Sequence, residues 1–181
     1  SMKYRGTASY RLITQRNKPL NKDWEIANCE FTDDHDGIWI RYVHNLKFHH
    51  NYFDHFNDDG IEVGARRRDH LIYVYQNLIS RCSLTFTLHE MEADEGATEV
   101  DPKSGIYVMR NVIDLRGGIL KYLPKEPDPD GNYLKTPGSL ASDHGSPVWP
   151  DYYFYHNTLL RADNAWRSHY GFGIGGRGVR N

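Results

Sequence analysis

Phe48-His49-His50-Asn51-Tyr52-Phe53, followed a few residues later by Asp59-Gly60-Ile61-Glu62-Val63, is the stretch whose reading decides the fold. In the first segment an apolar residue, two variable residues, asparagine, one variable residue and a second apolar residue succeed one another. The same order recurs from Val74 to Ile79 around Asn77, from Val108 to Ile113 around Asn111, and from Phe154 to Leu159 around Asn157. A further copy, Ile26 to Phe31, carries Cys29 at the asparagine position. The second segment has its own counterpart one interval earlier, Asp36-Gly37-Ile38-Trp39-Ile40.

Two short strands alternating with tight polar turns, repeated every few tens of residues with little helical periodicity, describe the circuits of a parallel β-helix. Stacking gives the asparagine a reason to recur: identical amides at one corner donate and accept along the axis and satisfy one another. An isolated asparagine would signal only a left-handed turn residue. The expected fold is therefore all-β, a right-handed parallel β-helix of about five coils, at 24–45, 46–69, 70–103, 104–151 and 152–181. Residues 1–23 are read as an irregular edge or the remnant of an earlier coil.

The ladder positions 29, 51, 77, 111 and 157 lie 22, 26, 34 and 46 residues apart, so the later coils carry insertions. Two long loops are predicted, an acid-rich one from His89 to Lys103 and a proline- and glycine-rich one from Tyr122 to Asp151. Loops of this length usually cover a binding face or contact a neighbour. Each end of a short stack also exposes strand edges, which implies either further coils of a longer parent chain or self-association through those ends.

Composition narrows the partners. The chain has 181 residues, 22 lysines and arginines against 24 aspartates and glutamates, and 39% hydrophobic residues. Its mean hydropathy is −0.72. A net charge of −2 supplies no global field for nucleic acid or an anionic membrane, and neither partner is expected. No apolar run approaches the length of a membrane span. Ser1-Met2 reads as a cloning remnant, so an export signal ahead of it is left open. Cys29 and Cys82 fall on non-adjacent coils, which argues against a disulfide.

Side chains alternate across a strand, so the positions two before each asparagine point outward. That row is His49, Tyr75, Met109 and Tyr155; the row two residues earlier is Lys47, Tyr73, Tyr107 and Tyr153. At a coil spacing of about 4.8 Å the tyrosines make a hydroxyl-bearing strip that could receive sugar rings or be covered by another part of the protein. The densest polar group lies elsewhere, at Asp33-Asp34-His35-Asp36 and Asn57-Asp58-Asp59, with Glu62 outward just beyond. Stacking brings Asp36 and Asp59 to about 5 Å, where two charges repel unless one takes a proton or a cation lies between. The first outcome is an acid/base pair for glycosidic chemistry, the second a calcium site for which Asp34, Asp36 and Asp59 are the candidate ligands. A third is that Asp-Gly only makes a turn and stays solvated. Arg66 and Arg67 could hold uronate carboxylates by charge-assisted bonds or belong to a solvated turn. Among the 10 histidines, His35, His49, His50, His55, His89 and His144 fall near the acidic edge or its loops, with His35 and His144 the catalytic candidates, and no zinc motif is present.

Across 24–181 these repeats resemble the pectin lyase-like superfamily of right-handed β-helices. Within it, Asp36-Gly37 and Asn57-Asp58-Asp59 are similar to the aspartates of polygalacturonase-type glycoside hydrolases. That resemblance implies acid and water-activating roles for Asp36, Asp58 and Asp59. Arg81-Cys82-Ser83 stands where that family has Gly-His-Gly, its Arg-Ile-Lys is missing, and Asp143-His144-Gly145 echoes the first motif at another place. Calcium-dependent pectate lyases and mannuronan epimerases share the scaffold. The resemblance implies an extracellular or periplasmic protein that cleaves an acidic polysaccharide, as hydrolase or lyase, with no cofactor or with calcium. The alternative is a non-catalytic scaffold, carbohydrate-binding or of adhesin or tailspike type.

Overall fold

The structure is a computed structural model that describes residues 11–15, 21–40, 43–64, 71–89, 105–116, 120–121, 134–135, 139–143, 151–161 and 172–173. A first strand, β1 (Arg11–Gln15), precedes five circuits. The first holds β2 (Asn21–Ala27), β3 (Glu30–Asp34) and β4 (Asp36–Ile40). The second and third each contain a short strand and a long bent one: β5 (Val43–His49) with β6 (Tyr52–Gly64), and β7 (Leu71–Tyr75) with β8 (Leu78–His89). The fourth has β9 (Gly105–Met109), β10 (Val112–Leu115), the hairpin β11 (Leu120–Lys121) and β12 (Leu134–Lys135), and β13 (Ser139–Asp143). β14 (Tyr152–Tyr155), β15 (Thr158–Arg161) and β16 (Phe172–Gly173) make the fifth.

Apart from the hairpin every pairing among the described strands is parallel, and the strands cycle through three ladders. The first ladder is β2, β5, β7, β9 and β14. The second is β3, the first halves of β6 and β8, then β10 and β15. The third runs from β1 through β4, the second halves of β6 and β8, to β13 and β16. This is a parallel β-helix of about five coils. Within the stretch 122–151, which the sequence suggested as a loop, β13 pairs with β8 and so forms the third side of its own coil.

The asparagine corner is built as its recurrence requires. Asn77 Oδ1 accepts from the backbone N–H of Asn51 at 2.9 Å and from its amide at 3.1 Å, and the Asn77 amide donates to Phe48 O at 3.1 Å. Asn111 serves Asn77 in the same way, and Asn157 serves Asn111. Cys29, lacking a side-chain amide, joins through its backbone alone: its N–H donates to Asn51 Oδ1 at 3.0 Å and its carbonyl accepts from Tyr52 N at 2.9 Å. The left-handed conformation falls on the preceding residue of every coil, Asn28, His50, Gln76, Arg110 and His156, with φ of 53 to 55°. Non-glycine residues hold that conformation at a cost, which the ladder's buried hydrogen bonds offset. The turn reading and the ladder reading are thus both realised, one residue apart.

Inside the coils like stacks on like. Phe31 and Phe53 lie with ring centroids 4.7 Å apart, and Ile38, Ile61 and Phe86 follow one another up the third ladder, with the two isoleucines and Phe86 fully buried. Both cysteines are free, and burial pushes the Cys82 thiol far above its ordinary range. Tyr152 spans the core, its hydroxyl donating to Val63 O at 2.6 Å, so the first and third ladders face each other across the interior.

Candidate functional site

The acidic corner forms where coils one and two enter the third ladder. At Asp36-Gly37-Ile38 and Asp59-Gly60-Ile61 the glycine and the isoleucine both turn toward the core, so the aspartate before them and the residue after them share the outer side. Gly37 has no room for a side chain: an added Cβ would lie 2.3 Å from Gly60 O and 2.9 Å from Phe53 Cε1. At Gly60 the nearest atom is Cys82 Sγ at 3.0 Å. Neither glycine has a positive φ, so the motif is set by close coil approach and not by turn conformation. Gly37→Ala should destabilise by about 2 kcal/mol or more, because backbone must move, and Gly60→Ala by less, because its contacts, Cys82 Sγ at 3.0 Å and Thr85 O at 3.1 Å, are wider than the 2.3 Å at Gly37. Urea titration of the two variants checks the order.

Asp36 and Asp59 stack on adjacent coils, and Glu62 reaches the same point. Ligating oxygens of the three lie within 4.8 Å of one another. All three are buried, at 2%, 5% and 1% exposure, so these aspartates are not solvated turn residues. His35 Nδ1 sits 2.5 Å from Asp36 Oδ1, and the Thr87 hydroxyl donates to Asp59 Oδ1. At an effective dielectric of 20, each pair of full charges at this distance repels by about 3.5 kcal/mol. A proton shared among the three, or a positive charge beside them, relieves that repulsion. An all-oxygen donor set suits calcium better than zinc, and Asp36, Asp59 and Glu62 are the residues that could hold it, with the remaining ligands drawn from water or substrate.

The expected residues distribute as follows. Asp36, Asp59 and His35 come together as anticipated. Glu62, expected outward beyond the aspartates, keeps its outward parity between the buried Ile61 and Val63 but is shielded from solvent and is the third carboxylate of the cluster. Asp34 is not a member; its Oδ1 accepts the His35 N–H at 2.8 Å, on the near side of the corner. Asp58 lies in β6, its side chain outside the described set, and Arg66, Arg67 and His144 lie outside the described residues. Thr87 was missed. Coil three has Leu84 and Thr85 in place of Asp-Gly, so only the strand register, Glu62 beside Thr87, reveals it.

The tyrosine rows also form in the expected register. Lys47, Tyr73, Tyr107 and Tyr153 are neighbours, as are His49, Tyr75, Met109 and Tyr155. The rings, however, stack on one another: Tyr73 to Tyr107 at 5.2 Å and 19°, Tyr107 to Tyr153 at 4.8 Å and 12°, and His49 to Tyr75 at 4.6 Å and 19°. Parallel rings cannot come this close edge to edge, so their faces meet and the strip offers edges and hydroxyls, not flat faces. Burial raises the Tyr107 phenol above its usual range, and Tyr153 and Tyr73 add to the effect. At one end His49 Nε2 bonds Glu25 Oε1 at 2.9 Å, which holds that carboxyl below its ordinary range. Because Tyr152 points through the core to the third ladder, Tyr153 beside it points away. The strip and the carboxylate cluster occupy opposite sides of the coil.

Comparison with protein-family models, with curated proteins and with solved structures returns no match. What fold and site define is a class: a parallel β-helix carrying a buried carboxylate cluster, contributed by two coils, on the outer side of one ladder.

Proposed function

We propose that the chain is part of a carbohydrate-active protein that cleaves an acidic polysaccharide at Asp36, Asp59 and Glu62. The observation that carries this reading is the meeting of three carboxylates within 4.8 Å, one of them hydrogen-bonded to His35. Carboxyls this close repel one another when ionised, and a proton shared between them relieves the repulsion. The protonated group can donate to the leaving glycosidic oxygen while an ionised neighbour activates water or attacks the sugar. Were calcium bound instead, Asp36, Asp59 and Glu62 would hold it, and it would supply charge neutralisation for a uronate carboxyl, as a lyase requires. A polymeric substrate suits work outside the cytoplasm, in the periplasm or beyond.

A specific observation favours a second reading. With exposures of 1 to 5%, the cluster would be a clamp between coils in a non-catalytic scaffold. The experiment that separates the two is incubation with pectate, alginate and hyaluronan, followed by reducing-end release and ultraviolet absorbance. Hydrolysis yields reducing ends alone, elimination adds an unsaturated uronide that absorbs, and silence across the panel leaves the scaffold.

A further inference from the structure

We infer that His49 and His50 form a chelating pair for a divalent transition-metal ion, nickel(II) or copper(II), on the outer side of the first ladder. The pair stands apart from the carboxylate cluster and does not depend on the cleavage reading. Consecutive residues of a strand point to opposite faces, so two adjacent histidines would ordinarily stay apart. Here His50 holds the left-handed conformation, φ 53°, at the turn before Asn51, and that turn swings its ring back toward His49. The rings meet edge to face, with centroids 5.0 Å apart at 82° and the two Nδ1 atoms 2.7 Å apart. Tyr155 and His156 repeat the arrangement on coil five, at 5.5 Å and 79° with φ 55° at His156, so the turn itself imposes it.

Proton accounting makes the pair a donor set. His49 Nε2 lies 2.9 Å from Glu25 Oε1, and an ionised carboxylate only accepts, so in the neutral ring Nε2 carries the proton and Nδ1 keeps its lone pair. A carboxylate on the far nitrogen is what fixes the tautomer and orientation of metal-binding histidines. Without an ion, His50 Nδ1–H donates to that lone pair; with the proton on Nε2 instead, His50 offers a second lone pair beside the first. At metal–nitrogen bonds of about 2.05 Å, a separation of 2.7 Å subtends about 80°. That is near the right angle of square-planar and octahedral ions and well short of the tetrahedral angle zinc takes in structural sites. His50 is exposed and lines a surface groove with Asn28, Cys29 and Gln76, so its ring can turn toward an ion that arrives from solvent with its remaining water ligands. Tyr75, stacked on His49 at 4.6 Å, holds the partner ring in place.

The test titrates the full chain at neutral pH with nickel chloride, reading Kd by calorimetry and Tm with and without the ion. Nickel is the probe because the exposed Cys29 thiol would reduce copper(II). The unaltered chain is expected to bind nickel and to melt higher in its presence, since an ion that binds only the folded state stabilises it. Glu25→Ala, which leaves both ligands in place, should weaken Kd about tenfold. His49→Phe and His50→Asn should each weaken it further and lose the rise in Tm. Both variants spare the fold: phenylalanine keeps the stack on Tyr75, and asparagine is the residue that coil one has at this turn. His55→Asn, at another corner beside Asp33, should bind nickel as the unaltered chain does. Nickel affinity and melting shift that survive both His49→Phe and His50→Asn would overturn the site, as would a failure of the unaltered chain to bind nickel.

Discussion

Replacing Asn77 by alanine is expected to cost the chain about 3 to 5 kcal/mol, because the side chain serves two neighbouring coils at once. Its Oδ1 receives the Asn51 backbone N–H and one Asn51 amide hydrogen, and its own amide donates to Phe48 O and to Asn111 Oδ1. Asn51 and Asn77 are each only 2% exposed, so water does not replace what is removed. The Asn51 N–H and the Phe48 carbonyl are then left without these partners, and each buried group so stranded costs about 1 to 3 kcal/mol. Asn157→Ala should cost less, since that residue is partly exposed and closes the described ladder. Urea denaturation of both variants reads the difference. An Asn77→Ala loss below about 1 kcal/mol, small for one unsatisfied buried group, would mean that the ladder is not what ties coil two to coil three.

Asp59→Asn carries the second large effect. On the cleaving reading it removes one of the groups that hold or move the proton, and turnover should fall by about 10²- to 10⁴-fold. Stability should hold or rise: asparagine still accepts from the Thr87 hydroxyl, while two repulsions with Asp36 and Glu62, each about 3.5 kcal/mol at full ionisation and an effective dielectric of 20, are relieved. Paired measurement of kcat and Tm therefore decides the matter. Lost activity with an intact fold supports catalysis, and retained activity removes Asp59 from it. A marked fall in Tm would point instead to a cation held between the coils.

The coil pattern was legible because each copy is short and local. An apolar residue, an asparagine and a second apolar residue recur at positions whose neighbours on the next coil are the same residues, so repetition along the chain is contact in space. For that reason the register of Tyr73, Tyr107 and Tyr153 could be read before any coordinate. Their ring orientation could not: whether aromatics spaced by one coil lie flat or turn face to face depends on χ angles chosen by packing. The cluster was half legible. Asp36 and Asp59 were marked by the Asp-Gly that precedes each inward isoleucine. Asp34 was attractive only by proximity in sequence, and the corner at His35 turns it aside.

From its order of residues alone, then, this chain determines a parallel stack of about five coils, an amide ladder at one corner, and two aspartates one above the other. The tertiary structure decided which carboxylate joins them, that the three are buried, and that the tyrosine face lies across the core from them. The physical reason is one of range. Ladder and alternation follow from backbone geometry that each coil repeats by itself, whereas burial and convergence are set where β6 bends between Phe56 and Asp59 and meets coils on both sides.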